Sequence, residues 1–274
     1  GASLRWLDLT EDGRIDPTTV RVITERTRLL ALTHASNVTG AITPLVDILP
    51  AARAVGALVV LDTCQSAAHL PLDFAALHAA GVDAMVLSSH KMLGPTGIGA
   101  LVAAEELLEA MPPVLAGGSM IEVVRMESST YMSGPARFEA GSQPLAQAAG
   151  WRTAVDYLSG LGMDRLHAGE LDLMQRVLDG LAALDGVRVL GPADTRERLG
   201  VVAFTVDGVH PHDVGQVLDA SGVAVRTGHH CAQPIHAHFS VSSSARVSFG
   251  VTTTAGEVDR FLEAAAGVRA YFQR

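Results

Sequence analysis

Short apolar blocks alternate with helically spaced ones along the first half of the chain. Residues 29–34 (LLALTH) form an apolar run with a polar end, which predicts a buried strand. Residues 44–55 (PLVDILPAARAV) have helical spacing, with Pro44 suited to a first turn and Pro50 expected to kink the helix or shift its start. Residues 57–62 (ALVVLD) predict a second buried strand, and 74–81 (FAALHAAG) a short helix stopped by Gly81. Residues 83–91 (DAMVLSSHK) predict a strand running into polar residues, and 97–103 (GIGALVA) a further strand after a Gly-Pro turn. Strands separated by short helices predict an α/β unit with a mostly parallel sheet covered by helices.

The second half changes character. Residues 144–158 predict a helix. A long amphipathic helix follows, with Leu166, Leu173, Val177, Leu181 and Leu184 on one face. Strands are expected at 187–190, 201–206, 223–228 and 245–249, and helices at 212–221 and 257–268. This reads as a large domain over residues 1–158 and a smaller α+β C-terminal domain over 159–274. Without a flexible linker between them, a packed interface is expected.

Composition narrows the function classes. The chain has 274 residues, 18% charged and 48% apolar, as an ordinary globular protein does. A net charge of -9 argues against nucleic acid and against an anionic membrane surface as partners. The longest clean apolar run, near Ala57–Leu61, is too short to span a membrane. The opening GASLRWLDLT lacks a basic head followed by an apolar stretch, so no signal peptide is expected. The two cysteines, Cys64 and Cys231, have unlike flanks. A structural disulfide is not expected, and a reducing, cytoplasmic setting fits.

In parallel sheets, chemistry gathers where strands end. Thr33, His34 and Asn37 follow the first strand, Asp62 and Gln65 the second, and Ser88, Ser89, His90 and Lys91 the third. An Asp after a strand is a common helix cap, and a loop lysine is usually a solvated charge. The three clusters together suit pyridoxal phosphate. That cofactor needs a lysine for its covalent link, a carboxylate beside its ring nitrogen, and donors for its phosphate. Lys91 supplies the first and Asp62 the second. Gln65 can donate to the ring oxygen, and Ser88 and His90 to the phosphate.

Cys231 sits in RTGHHCAQP (226–234), expected to be an exposed loop. A free cysteine is most often an inert buried residue. Here Arg226, His229 and His230 are expected to favour the thiolate, whereas Cys64 is expected to serve packing.

These residues spell a pattern. THASNVTG (33–40), VVLDTCQSAAHLPLD (59–73), LSSHKMLGPTGIGAL (87–101), GGSMI (117–121), RFEAGSQP (137–144) and AVRTGHHCAQP (224–234) together resemble the SUF-type cysteine desulfurases, class V aminotransferase-like enzymes of fold type I. The likeness runs through essentially the whole chain. It implies that Lys91 binds the cofactor and moves the Cα proton, with Asp62 and Gln65 on the ring and Ser88 and His90 on the phosphate. Asn37, Arg226 and Arg246 would hold the carboxylate of L-cysteine, a task that suits a guanidinium fork. Cys231 would take the sulfur as a persulfide and release L-alanine, the sulfur passing to an acceptor of iron–sulfur cluster assembly. The resemblance further implies a homodimer, with Ser142 reaching the phosphate in the neighbouring subunit's site. It also implies that His212, in HPHD (210–213), docks a zinc-containing SufU-type acceptor by taking over a zinc ligand position; the plain alternative is a solvent-facing residue at a helix start.

The sequence departs from the pattern in two ways. Thr63 and Cys64 stand where the family usually has a small residue and Ala. The family's Gly-Thr-Thr phosphate loop and ring-stacking histidine belong before the region where this sequence begins. An N-terminal part is therefore expected to be missing, and these residues alone are expected to bind the cofactor poorly. Two rival readings stay open: another class V enzyme, an aminotransferase or selenocysteine lyase, and a non-catalytic piece that only docks a sulfur acceptor.

Overall fold

A computed structural model describes residues 1–272. Two sheets organise it. The first is built from β1 (Leu29–Thr33), α1 (Leu45–Ala54), β2 (Leu58–Asp62), α2 (Phe74–Ala80), β3 (Ala84–Ser88) and β4 (Gly99–Ala103). Its strand order is β1-β2-β3-β4. The pairings β1–β2 and β2–β3 are parallel, and β4 closes the edge antiparallel to β3.

The alternating pattern of β1 and β2 puts Leu30, Leu32, Val59 and Leu61 on one face, where Ile48, Leu49 and Ala52 of α1 and Phe74 and Leu77 of α2 cover them. The expected helical cover thus lies on one side. On the other side Leu29, Leu58 and Leu101 are 55%, 41% and 50% exposed. Both crossover helices pack on the same face, which is the physical reason for the difference.

Helix α1 runs through Pro50 instead of starting after it. The carbonyl deprived of a donor belongs to Val46, whose residue is exposed to water. Helix α2 is capped by Asp73, which accepts from the amides of Ala75 and Ala76, and ends at Gly81 with φ 115°. The apolar run at 83–91 does not stay extended: β3 stops at Ser88, and Ser89–Lys91 turn into a 3-10 helix.

The chain continues through α3 (Glu105–Ala110), the exposed hairpin β5 (Ile121–Val124) and β6 (Ser129–Tyr131), α4 (Leu145–Leu161) and α5 (Met163–Ala182). Then come β7 (Val187–Leu190), β8 (Val201–Val206), α6 (Pro211–Ala220), β9 (Arg226–Gly228), α7 (Gln233–His238), β10 (Ser244–Ser248) and α8 (Ala255–Phe272). The second sheet is antiparallel throughout, in the order β7-β8-β10-β9. One face packs on α5, α6 and α8 through Met174, Leu181, Phe204, Leu218 and Phe261.

The strand expected at 223–228 begins only at Arg226. Val223 and Val225 instead pack against the core beneath α6 and α8.

The other face of the second sheet meets the first unit. Val38 packs with Leu190, Ala203 and Phe239. Backbone bonds from Leu199 to Gly40 (2.9 Å) and from Ile42 to Glu197 (2.8 Å) stitch the loop after β1 onto this sheet. The guanidinium of the wholly buried Arg198 donates to the carbonyls of Pro192 and Val201, which holds the same corner.

Candidate functional site

The strand ends of the first sheet gather polar groups on one face. In register, Thr33 lies beside Asp62, and Asp62 beside Val86. Side chains two apart on a strand share a face, so Ser88 joins Thr33 and Asp62. Asp62 is exposed, and its Oδ1 accepts from the Cys64 amide at 2.9 Å. Lys91 is exposed one short turn beyond Ser88, and Ser88 Oγ lies 3.5 Å from His90 Nδ1.

The lysine turn is held from within. The carbonyl of Ser89 accepts from the amides of Met92 (2.8 Å) and Gly94 (3.0 Å). Gly94 is needed for its bareness: a Cβ there would lie 2.2 Å from Ser89 Oγ and 3.2 Å from a Trp151 ring carbon.

Of the expected clusters, His34 and Ser89 face inward, as does Cys64 beside them. His34 is buried, and its Nδ1 lies 2.8 Å from Ser66 Oγ; burial lowers its pKa. Cys64 is half-buried, with its sulfur 3.9 Å from the Val86 carbonyl. Burial, with a hydrogen bond and charge from Asp62, pushes its thiol up to about 11. That is an inert packing thiol, as its flanks suggested.

Cys231 is free and exposed. Arg226, at the start of β9, donates from Nη2 to its sulfur at 3.2 Å. Both His230 and Cys231 adopt left-handed backbone, at φ 54° and 62°. The loop is tied to the first unit: Asn37 Nδ2 donates to the His230 carbonyl, and Arg246 Nη1 donates to the Asn37 carbonyl at 2.9 Å. Thus Asn37, Arg226, Arg246 and Cys231 form one cluster, docked at the C-terminal end of β1. Arg246 is partly buried, with its Nε buried and without a partner. Burial and the neighbouring Arg226 lower its pKa. A guanidinium in that setting calls for an anion.

The expectation that His230 supplies positive charge to the thiolate is corrected. His230 is 1% exposed, and its Nε2 lies 2.9 Å from Ser244 Oγ. Burial, then Arg246, His236 and Arg226, push its pKa down to about 4. It is a neutral group near pH 7, so of the expected partners Arg226 is the cation in contact with the sulfur. Ser244 and His236 were not singled out from sequence, because nothing in their local pattern marks a contact made through folding.

Gln65 precedes the 3-10 turn Ser66–Ala68, half-buried. Ser142 is exposed just before α4, in a segment tied by Gly141 to the Gly118 carbonyl (2.8 Å). His212 is exposed in the first turn of α6, its ring 5.1 Å from that of His210. No hydrogen bond or ion pair joins these three to Lys91 or Cys231 among the described residues.

The donor set fits pyridoxal phosphate. An amine, a carboxylate and hydroxyl and imidazole donors share an accessible strand-end face, and the partly buried Arg246, whose Nε has no partner, suits a substrate carboxylate.

Comparison with known proteins agrees. A family model described as "Aminotransferase class-V" matches residues 1–261. A "Probable cysteine desulfurase 2" of Mycobacterium leprae is 49% identical over 274 residues, which is 100% of this chain and 65% of that relative. The apo structure of a cysteine desulfurase from Thermococcus onnurineus superposes with a TM-score of 0.91 at 33% identity, covering 97% of this chain and 66% of that one. A mutant of C-DES with glycine covalently linked to its PLP cofactor superposes with a TM-score of 0.78 at 25% identity, covering 92% and 64%. The chain therefore spans about two thirds of the length of the proteins it matches.

Proposed function

The chain belongs to the class-V aminotransferase family, and from that premise we propose that it is the greater part of a pyridoxal-phosphate-dependent cysteine desulfurase acting through Cys231. The observation that carries this reading is the docking of the Cys231 loop, by Asn37 and Arg246, at the same strand ends that present Asp62, Ser88 and Lys91. A transaminase has no use for a cysteine held on an arginine at that place.

When bound, pyridoxal phosphate supplies an electron sink for the pair released as the substrate Cα–H bond breaks. Lys91 would hold it covalently and move the Cα proton. Asp62 would sit at the ring nitrogen and Gln65 at the ring oxygen, with Ser88 and His90 donating to the phosphate. Arg246, with Asn37 and Arg226 beside it, would clamp the carboxylate of L-cysteine. The Cys231 thiolate would attack the substrate sulfur. A sulfur–sulfur bond forms and the Cβ–S bond breaks, its electrons staying on carbon, which takes a proton to become the methyl group of alanine. Cys231 is left as a persulfide. Arg226 stabilises negative charge on this sulfur before the attack.

The persulfide sulfur would pass to an acceptor protein of iron–sulfur cluster assembly. The zinc-containing acceptor that docks on His212, and the homodimer in which Ser142 serves the partner's phosphate, belong to the same reading. The exposure of both residues supports it.

The test is product analysis. With pyridoxal phosphate and L-cysteine, equal amounts of alanine and sulfide are expected under a thiol reductant, and Cys231→Ser should abolish them. Amino-group transfer to a keto acid, unaffected by Cys231→Ser, would replace this reading with an aminotransferase.

A further inference from the structure

Beneath the Cys231 loop lies a buried polar chain that no step of the proposed reaction uses. His230, His236 and Ser244 are 1%, 1% and 0% exposed. His236 Nδ1 lies 3.0 Å from the Ala232 carbonyl, and its Nε2 lies 2.9 Å from Ser244 Oγ. Ser244 Oγ in turn lies 2.9 Å from His230 Nε2.

Proton counting orders this chain. A carbonyl only accepts, so His236 carries its proton on Nδ1. With one proton on each ring, the Nε2 of His236 accepts the single hydroxyl proton of Ser244. Having spent that proton, Ser244 Oγ accepts from His230, which must hold its proton on Nε2. His230 Nδ1 is left as a buried lone pair without a partner. Each link therefore has one direction, and one tautomer is selected for each ring.

The chain sits where the backbone needs restraint. His230 and Cys231 are successive non-glycine residues in the left-handed region. Such a pair persists only where its surroundings impose it. The Asn37 bond fixes the carbonyl of His230. The relay fixes its ring, anchoring it to β10 and α7.

We propose that His236 and Ser244 are positioning residues for Cys231: acting through His230, they hold the left-handed turn that keeps the cysteine sulfur on the Arg226 donor. The proposal deepens the desulfurase reading and rests on it only for the use to which the sulfur is put. The charged and titratable groups around the relay are Arg246 on β10, His236 on α7 and Arg226 on β9, with the ring of His229 5.9 Å from that of His236. Among these, Arg226 is the one in hydrogen-bond contact with the sulfur.

The test uses the full chain without cofactor. Iodoacetamide labelling of Cys231 is followed by mass spectrometry between pH 5 and 9. Ser244→Ala cuts the relay at its centre. His236→Asn leaves an amide to donate to the Ala232 carbonyl but reaches no further, so it cuts the relay while keeping the local turn.

Both variants should label about five-fold more slowly at pH 7, as loss of one hydrogen bond between uncharged groups implies. Their circular dichroism should match the wild type. Nitrogen-15 NMR of wild-type ring nitrogens should show His230 protonated on Nε2 and His236 on Nδ1.

Wild-type labelling profiles in both variants would overturn the proposal. So would a His230 protonated on Nδ1, a readout that needs no variant to fold. Neither measurement involves sulfur release from cysteine, so failure here is separable from failure of the desulfurase reading.

Discussion

Arg226 directs its Nη2 donor at the sulfur of Cys231 from 3.2 Å. The two side chains lie five residues apart, across the sharp turn made by Gly228, His230 and Cys231, each at positive φ. Replacing Arg226 by Ala should slow alkylation of Cys231 by about ten-fold at pH 7, since the reacting thiolate loses its hydrogen-bonded cation. Lys should restore only part of the rate, because an ammonium on a flexible stem does not reproduce the fixed guanidinium donor. Equal labelling rates in all three proteins would show that the contact has no bearing on reactivity.

Arg246 donates to the Asn37 carbonyl from one nitrogen and keeps a buried, unpaired Nε. Its loss should act mainly on substrate binding. Arg246→Ala is expected to raise KM for L-cysteine by 10–100-fold, the range that loss of ~1.5–3 kcal/mol of charged hydrogen bonding implies. A change confined to kcat, with KM unmoved, would take Arg246 out of the carboxylate clamp.

Gly94 bears on Lys91 through packing. An added Cβ meets Ser89 Oγ at 2.2 Å, the Ser89 carbonyl at 3.1 Å and a Trp151 ring carbon at 3.2 Å. Gly94→Ala should cost about 2 kcal/mol, as overpacking does. It should also weaken pyridoxal phosphate binding, because the Ser89 carbonyl that caps the lysine turn has to move. Thermal melting and cofactor titration, both unchanged, would contradict this.

Acid should destabilise the fold before the carboxylates respond. His230 is held neutral by burial, with its pKa pushed from 6.5 down to about 4. Between those values the unfolded chain binds more protons than the folded one, so stability is fully present above pH 6.5 and falls as pH drops towards 4. The contribution is on the order of 3 kcal/mol. His34 and His167, both lowered by burial, act with the same sign. Asp16 and Asp194, lowered by hydrogen bonds from Thr18 and Arg196, contribute stability that is present above their ordinary 3.8 and is lost as pH falls below it. Urea unfolding at pH 7 and pH 5 should show the loss, and His230→Asn should flatten it. An identical slope in that variant would assign the effect elsewhere.

The elements that sequence showed best are those with unbroken apolar runs, whether nearly the whole strand is buried, as in β8, or one face, as in β2. In β2 and β8 the apolar run is itself the signal, because packing decides it. The hairpin β5–β6 is exposed, so no inside and outside alternate to be read. α3 and α7 are six residues each and carry too little periodicity.

The site divides in the same way. Asp62, Ser88 and Lys91 were legible because strand ends and their polar tails are local features. The bond from Asn37 to the His230 carbonyl joins two distant loops, and the burial of His230 depends on β10 and α7 closing over it. A histidine beside a cysteine in sequence therefore suggested a charged helper. The fold made it a neutral strut.

The central claim is that Cys231 receives sulfur from cysteine. It is tested by the mass of the Cys231 peptide after the full-length protein is incubated with pyridoxal phosphate and L-cysteine and then alkylated. A gain of one sulfur atom is expected at Cys231, absent from Cys64 and abolished by Lys91→Ala. Alanine formation with no added sulfur on Cys231, or added sulfur on Cys64 instead, would contradict it.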